Sequence, residues 1–474
     1  MEPEVEETQP AASREDPVLR QAADSIKTYA PLDKLRVLLT TGVDLDAPLN
    51  HGLRLVHYAV YHRHMDALTL LLVRGANPSV MDDSGHSPMH MAAETGFCNV
   101  VKTLLCYGAR VDFSKVLPGD IGYCYPQRAS PAYEPLHLAL KNGCYRAAEL
   151  LLKNGANPHT RYHSGFEINF LDPLDTKGVE LLLRHGADPN ARNAQGITLL
   201  MKACRSPEGI ATARLLINYG ADVNATTPEE QRTPLHCAVL SGNAAMVQVL
   251  HEGGARVVLD PSYTKPPPFF FAMLKSDFAM MSFLLEIGAD INQGSATVGS
   301  CLHVALTELG QSKASIVKFL LENGADPNAV LYSGFRTILA PPLGEYFSSV
   351  PNPDITIVRN MLRYGAKIVL QGHRQHPLGI LQTLHHLDAR TSEDVLELVA
   401  EAAESFSVQL IDSSRLMSTR HKLVLLKRAM APHSLKHCAR LALRNILGWG
   451  PILVAAIQEL PVPIELRKYL LFDE

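Results

Sequence analysis

Apolar residues in this chain recur in pairs of short helical runs, and the second run of nearly every pair is closed by Gly-Ala or a close variant. The closures fall at Gly42-Val43, Gly75-Ala76, Gly108-Ala109, Gly155-Ala156, Gly186-Ala187, Gly220-Ala221, Gly254-Ala255, Gly288-Ala289, Gly324-Ala325 and Gly365-Ala366. Their spacing is 33, 33, 47, 31, 34, 34, 34, 36 and 41 residues. A period near 33 is the mark of one helix-turn-helix unit repeated along the chain. No single unit of this size can bury its own apolar face, so stability must come from stacking on neighbours.

The residues inside the unit support a helical reading. In Thr233-Pro234-Leu235-His236, Thr233 can cap the first amides of a helix, and Pro234 sits where a missing N–H costs nothing. Leucine pairs such as Leu151-Leu152, Leu182-Leu183 and Leu320-Leu321 end the second helix. The glycine after them can adopt a left-handed conformation and stop it. Asn77-Pro78, Asn157-Pro158, Asp188-Pro189 and Asp326-Pro327 then start the turn into the next unit. These features resemble ankyrin repeats over roughly residues 30–400. The expected fold is all-α: an ankyrin-repeat solenoid of about ten units with a small helical module at the C-terminal end. Residues 1–16 are expected to be a disordered acidic segment, 17–41 an N-terminal capping helical segment, 42–400 the solenoid and 401–430 a linker or C-terminal cap. Two long steps predict inserted loops near 112–133 and 331–356. The unit ending at Gly186 lacks a TPLH-like start, which predicts an irregular first helix.

Composition narrows the function. The net charge is −4 with a pI of about 6.6, and acids and bases are mixed along the chain. No basic stripe appears, which argues against nucleic acid as a partner. Eight cysteines are scattered without a C-x-x-C pair, the pattern of a reduced compartment, and a cytoplasmic chain with access to the nucleus is expected. The opening MEPEVEETQP has no basic or apolar region of a secretory signal, and its acids argue against a transit peptide. No apolar run approaches the ~20 residues of a membrane span.

Chemistry is sparse. His57, His90, His137, His236 and His303 all take the fourth position of the TPLH-like element. A repeated position implies a repeated structural job, a hydrogen bond between neighbouring helix starts, rather than metal ligation. No P-loop and no nucleophile elbow is present. Cys438 lies on an apolar helix face, where a buried thiol is expected to be inert packing. The chain is therefore expected to be no enzyme and to need no cofactor.

The C-terminal stretch departs from the repeat. Leu435, Cys438, Ala439, Ala442, Ile446 and Trp449 fall at offsets 0, 3, 4, 7, 11 and 14, one face of a helix. Gly448 and Gly450 interrupt it. Ile452, Ala455, Ala456 and Glu459 follow a second helical repeat, stopped by Pro461 and Pro463, and Leu466, Tyr469, Leu470 and Phe472 form a last apolar patch. About forty residues make a marginal domain that must lean on the repeats, on a partner, or on both.

At these residues the module, residues 431–474, resembles a SOCS box. Ankyrin repeats followed by such a box define the ankyrin-repeat and SOCS-box family, whose members are substrate receptors of cullin 5 RING ubiquitin ligases. The resemblance implies an elongin C-binding element at Ser434, Leu435, Cys438, Ala439 and Ala442, with Leu435 as the anchor. The cysteine of the family pattern is replaced by Ala439, and Cys438 stands where the family usually has Leu. The loss of buried methylenes should cost ~1–2 kcal/mol of affinity. Leu460, Pro461, Val462 and Pro463 match the cullin 5 element, two prolines holding an extended turn at low entropy cost. The implied partners are elongin C, elongin B and cullin 5 with its RING protein, plus an unidentified client protein. Client candidates on the concave face are Tyr58, Tyr61 and Arg63, with Tyr123, Tyr125 and Arg128 in the insert, because aromatic and Arg side chains make the favoured anchors. Met91, Leu138, Lys202 and Val304 are expected to point the same way. The alternative is an ankyrin scaffold whose last segment only caps the array.

Overall fold

Histidines join neighbouring repeats at three of the helix starts, and asparagines join them at four of the turns. The Thr233 N–H donates to His236 Nδ1 (3.1 Å), and the Thr233 hydroxyl meets the same nitrogen at 2.8 Å. Nδ1 thus accepts, so Nε2 carries the proton and reaches the Pro266 carbonyl in the following unit (3.2 Å). Ser300–His303 repeats the arrangement, with Nε2 at 2.8 Å from the Ala340 carbonyl. His57 reaches the His86 carbonyl (3.2 Å) in the same way. The expected bond between helix starts is therefore present. His137 departs: its Nδ1 pairs with the buried Glu167 carboxylate at 3.0 Å. At the opposite end of the repeat, Asn292 donates to the Gly324 carbonyl (3.0 Å) and accepts from the Asp326 amide (2.7 Å). Asn190, Asn224 and Asn328 span their neighbours identically. These bonds satisfy turn amides and carbonyls that apolar stacking would otherwise leave without partners.

The computed structural model describes residues 16–113, 133–258, 265–294, 299–307, 310, 312–333, 336–372, 376–388, 393–415 and 417–473. Residues 1–15 of the expected disordered segment and most of the 112–133 insert, with Tyr123, Tyr125 and Arg128, lie outside the described residues. The chain divides into two compact units, Met1–Asp222 and Val223–Glu474. The first holds the pairs Pro17–Lys27 with Leu32–Leu38, Leu55–Tyr61 with Met65–Val73, Pro88–Thr95 with Cys98–Cys106, Pro135–Lys141 with Tyr145–Lys153, and Leu199–Arg205 with Ile210–Asn218. Between the last two, Thr176–Arg184 is preceded only by the 3-10 turn Glu167–Phe170, the irregular start that the missing TPLH element predicts.

The second unit continues with Pro234–Ser241 and Ala244–Glu252, Pro268–Leu274 and Phe278–Glu286, Cys301–Thr307 and Lys313–Glu322, and Pro342–Ser349 and Ile355–Arg363. The core is the line of small and branched residues between pairs, such as Ala238, Val247, Leu250, Ala305, Val317 and Leu320, all buried. The long step 331–356 is not an extended loop. Leu331–Ser333 and Arg336–Leu339 pair as an antiparallel hairpin, and Pro342–Ser349 is the first helix of the next pair. Its Pro342 occupies the first helical turn, so the Pro-Pro sequence starts a helix rather than preventing one. Beyond Gly365 the stack goes on. Thr383–His386 packs on Pro342–Ser349, Glu393–Ala402 packs on Ile355–Arg363, and Thr419–Met430 lies on Glu393–Ala402. Ile368–Leu370 pairs in parallel with Ala403–Phe406, tying residues 401–430 into this layer.

Candidate functional site

Three helices form the C-terminal module: Leu435–Leu447, Pro451–Glu459 and Ile464–Leu471. Ser434 starts the first, its hydroxyl accepting from the His437 amide (3.1 Å). Leu435 is 89 % exposed and Ile446 79 %. Cys438, Ala439 and Ala442 are exposed between them. The aliphatic face expected from the helical spacing therefore exists, and it faces outward. This corrects the expectation for Cys438, whose thiol is exposed rather than buried. The reason lies on the other side of the helix, which is anchored by cations.

Arg440 is 1 % exposed. Its guanidinium lies 3.6 Å from the Tyr469 ring centroid and 4.2 Å from that of Phe472. It donates to the Glu401 carboxylate (2.6 Å) and to the Tyr469 carbonyl (3.4 Å). Arg444, one turn on, is also buried, donates to the Leu470 carbonyl (3.2 Å) and bonds the Leu362 carbonyl at the end of the last regular repeat. Burial, with the nearby Arg440 charge, lowers the Arg444 pKa to about 10, so it stays charged at neutral pH. Arg363 of the repeat pairs with Asp473 at 2.9 Å. Aromatic faces and carbonyl oxygens thus replace the water these guanidiniums lose. His437 is buried beside them, and both its ring nitrogens lack hydrogen-bond partners. Burial and the neighbouring cations lower its pKa to about 4, leaving it neutral.

The helix stops at Gly448, whose φ of +82° and ψ of −135° are costly for any side chain. Trp449 consequently leaves the aliphatic stripe that its spacing assigned it to. It rests on the Gly365 turn of the last regular repeat, and the Gly450 amide donates to the Tyr364 carbonyl (2.8 Å). In the second helix Leu453, Val454 and Ile457 are buried, while the face of Ile452, Ala455 and Glu459 is exposed. Leu460 ends this helix, and Pro463 begins the third. The Leu460 carbonyl accepts from the Val462 amide (2.8 Å) and from Arg467 Nε (3.2 Å), which fixes the turn. Pro461 and Pro463 are exposed, and Leu460 and Val462 half-buried. Of the expected patch, Tyr469, Leu470 and Phe472 are buried against the module's own arginines and the repeat, while Leu466 is half-buried.

The client candidates divide. Tyr61 is exposed, and Arg63 lies exposed with its guanidinium 3.7 Å from the Phe97 ring centroid. Tyr58 is half-buried, with Lys27 at 5.2 Å from its ring. Met91 and Lys202 are partly open. Leu138 and Val304 are buried, a correction: the residue after the ladder histidine packs between helix pairs at those positions. Sequence reasoning missed Arg440 and Arg444. Their signal was two arginines four residues apart, opposite the aliphatic stripe. Among the described residues no cluster of His, Cys, Asp and Glu suits a metal ion, and no helix is long and apolar enough to cross a membrane.

The repeats and the C-terminal module each match a known family model. A model of three ankyrin repeats matches residues 20–115 and 174–261, a single-repeat model matches 133–162 and 300–330, and a SOCS-box model matches 431–471. The chain is 25 % identical over 287 residues to the transient receptor potential cation channel subfamily A member 1 of Drosophila melanogaster, covering 59 % of the chain and 21 % of the channel protein. It is 30 % identical over 137 residues to the B-cell lymphoma 3 protein homolog of Mus musculus, 28 % of each chain. The chain spans less than a third of the length of these curated relatives. The crystal structure of the human ASB11 ankyrin repeat domain aligns in full with 51 % of the chain at 22 % identity and a TM-score of 0.39.

Proposed function

This chain belongs to the ankyrin-repeat and SOCS-box family, and from that premise we propose that it is the client-recognition subunit of a cullin 5 RING ubiquitin ligase. The repeats hold a client protein, with Tyr61 and Arg63 among the contacts. The box recruits elongin C with elongin B through Leu435, Cys438, Ala439 and Ala442, and cullin 5 through Leu460–Pro463. The chain itself catalyses nothing: it brings a client to the transferring enzyme, in the cytoplasm and with access to the nucleus.

The observation that carries the proposal is the outward aliphatic face of Leu435–Leu447 on a helix whose opposite side is anchored. An exposed Leu at the start of a fixed helix is an anchor awaiting a pocket. The test is co-expression of the full chain with elongins B and C and cullin 5, followed by quantified capture. The native chain recovers all three. Leu435→Ser loses elongin C, and Pro461→Ala with Pro463→Ala keeps elongin C but loses cullin 5. Normal cullin capture by both variants would defeat the proposal.

The buried contacts of Arg440 and Arg444 also favour a second role, that of a cap on the last repeats. Removal of residues 434–474 then lowers the stability of the second unit. A truncated chain that melts normally while losing its elongins would exclude the capping role.

A further inference from the structure

A cleft of about 550 Å³ opens in the second unit beside the box. Its walls include Asn292, Ser300, Asp326, Asn328, Leu378 and Trp449. Two of these features are unusual together. Trp449 is the chain's only tryptophan, and it is 39 % exposed although its backbone is pinned. Gly365, at φ +100°, lacks the Cβ that would come within 2.8 Å of Trp449 Cα, and the Gly450 amide is bonded to Tyr364. The residue that carries the indole is thus fixed at the wall of the cleft. Among the described residues, Asp326 is the only charged one lining the cleft. One of its oxygens accepts the Asn328 amide (2.8 Å), and no described cation pairs with it. Partial burial raises its pKa, as expected for a carboxylate that lacks a counter-charge. The asparagine amides cannot supply that charge, because Asn292 and Asn328 are already committed to the inter-repeat bonds.

We propose that this cleft receives an arginine side chain from a partner polypeptide, the guanidinium stacking on Trp449 and donating to Asp326. A planar cation with several donors suits an indole wall, a lone carboxylate and leftover oxygen lone pairs, where an ammonium would leave the indole face poorly used. The volume is ample for one side chain and its flanking backbone, within the range of small-ligand clefts. Leu378 and the neighbouring Pro377 offer an apolar wall for the methylene stem. The position is informative. A polypeptide seated there touches the repeats and the box at once, because Asp326 belongs to the repeat turns and Trp449 to the box. The inference does not require that the box bind elongins.

The single tryptophan supplies the assay. Full-length protein is titrated with N-acetyl-Gly-Arg-Gly-amide while Trp449 emission is followed, and in parallel with the citrulline and lysine versions of the peptide. Citrulline keeps the shape and removes the charge without touching the protein. The arginine peptide is expected to give a saturable change and to bind ~10-fold more tightly than citrulline. Asp326→Asn, which retains an oxygen for the Asn328 amide, is expected to abolish that difference. A silent Trp449 up to ~10 mM peptide, equal binding of the citrulline or lysine peptide, or a full arginine preference in Asp326→Asn each overturns the proposal.

Discussion

Leu435→Ala separates a docking residue from a structural one. The side chain is 89 % exposed, so in the free chain its truncation removes almost no packing. Alanine is also a better helix former than leucine, and the Ser434 cap on the His437 amide is untouched. Thermal stability should therefore stay within ~1 °C of the native value. Binding is a different matter. If Leu435 enters an elongin C pocket, three carbon atoms lose their buried contacts, at ~0.8 kcal/mol each. The expected loss is about 2 kcal/mol, or ~30-fold in Kd. Isothermal titration of full-length protein with purified elongin B–C measures it, with calorimetric melting of the same samples as the control. An unchanged Kd would remove the aliphatic stripe from the docking surface. A melting point several degrees lower would place Leu435 in a core and refute the outward orientation.

Arg440→Met should cost about 2 kcal/mol by breaking the bonds to Glu401 and Tyr469 and the aromatic stack; hydrogen exchange should rise across 435–471 and stay unchanged in the first unit, and uniform protection would contradict the anchoring role. Gly365→Ala places a Cβ 2.7 Å from that of Trp449 at a φ of +100°, so the box should lift and Trp449 emission shift to the red, at a cost of ~2 kcal/mol or more; an unmoved emission maximum would count against the close approach. The ladder histidines predict acid sensitivity. Burial pulls His57 and His236 from 6.5 to about 4, so between those values the unfolded chain binds protons that the folded chain refuses. Stability is fully present above pH ~6.5 and falls as pH drops toward 4, by up to ~3 kcal/mol per histidine. Urea unfolding at pH 7.5, 6 and 5 should show the decline, which His236→Gln should shallow; a flat profile would refute the assignment.

The repeat was legible because it is a statement about period. Gly-Ala closures, TPLH-like starts and leucine pairs place each helix pair without reference to anything distant, and the missing element before Gly186 predicts an irregular start, found as a 3-10 turn. Two kinds of feature were not legible. The long step and its Pro341-Pro342 pair predict a loop over 331–356, yet Pro342 at a first helical turn initiates a helix. That choice was made by packing against Cys301–Thr307, which local propensity cannot see. The inter-repeat asparagines and the box arginines were also invisible, since their partners lie 26 to 82 residues away. Which face of Leu435–Leu447 is aliphatic follows from spacing alone; which face is buried does not.

That last distinction bears most directly on function. Leu435–Leu447 is amphipathic in the wrong sense for a helix that merely ends a stack: it buries Arg440 and Arg444 and shows Leu435 and Ile446 to solvent. A cap would minimise free energy by turning the aliphatic face inward and hydrating the guanidiniums. Here desolvation of two cations is offset by Tyr469, Phe472, Glu401 and the carbonyls of Leu362 and Leu470. Such an arrangement gains little stability over an apolar interior, since buried charges generally do not. What it secures is orientation, because fixed hydrogen bonds to the last regular repeat leave one way to seat the helix. The exposed stripe then has a defined direction relative to the second unit. A partner that covers it recovers the apolar burial that the free chain forgoes.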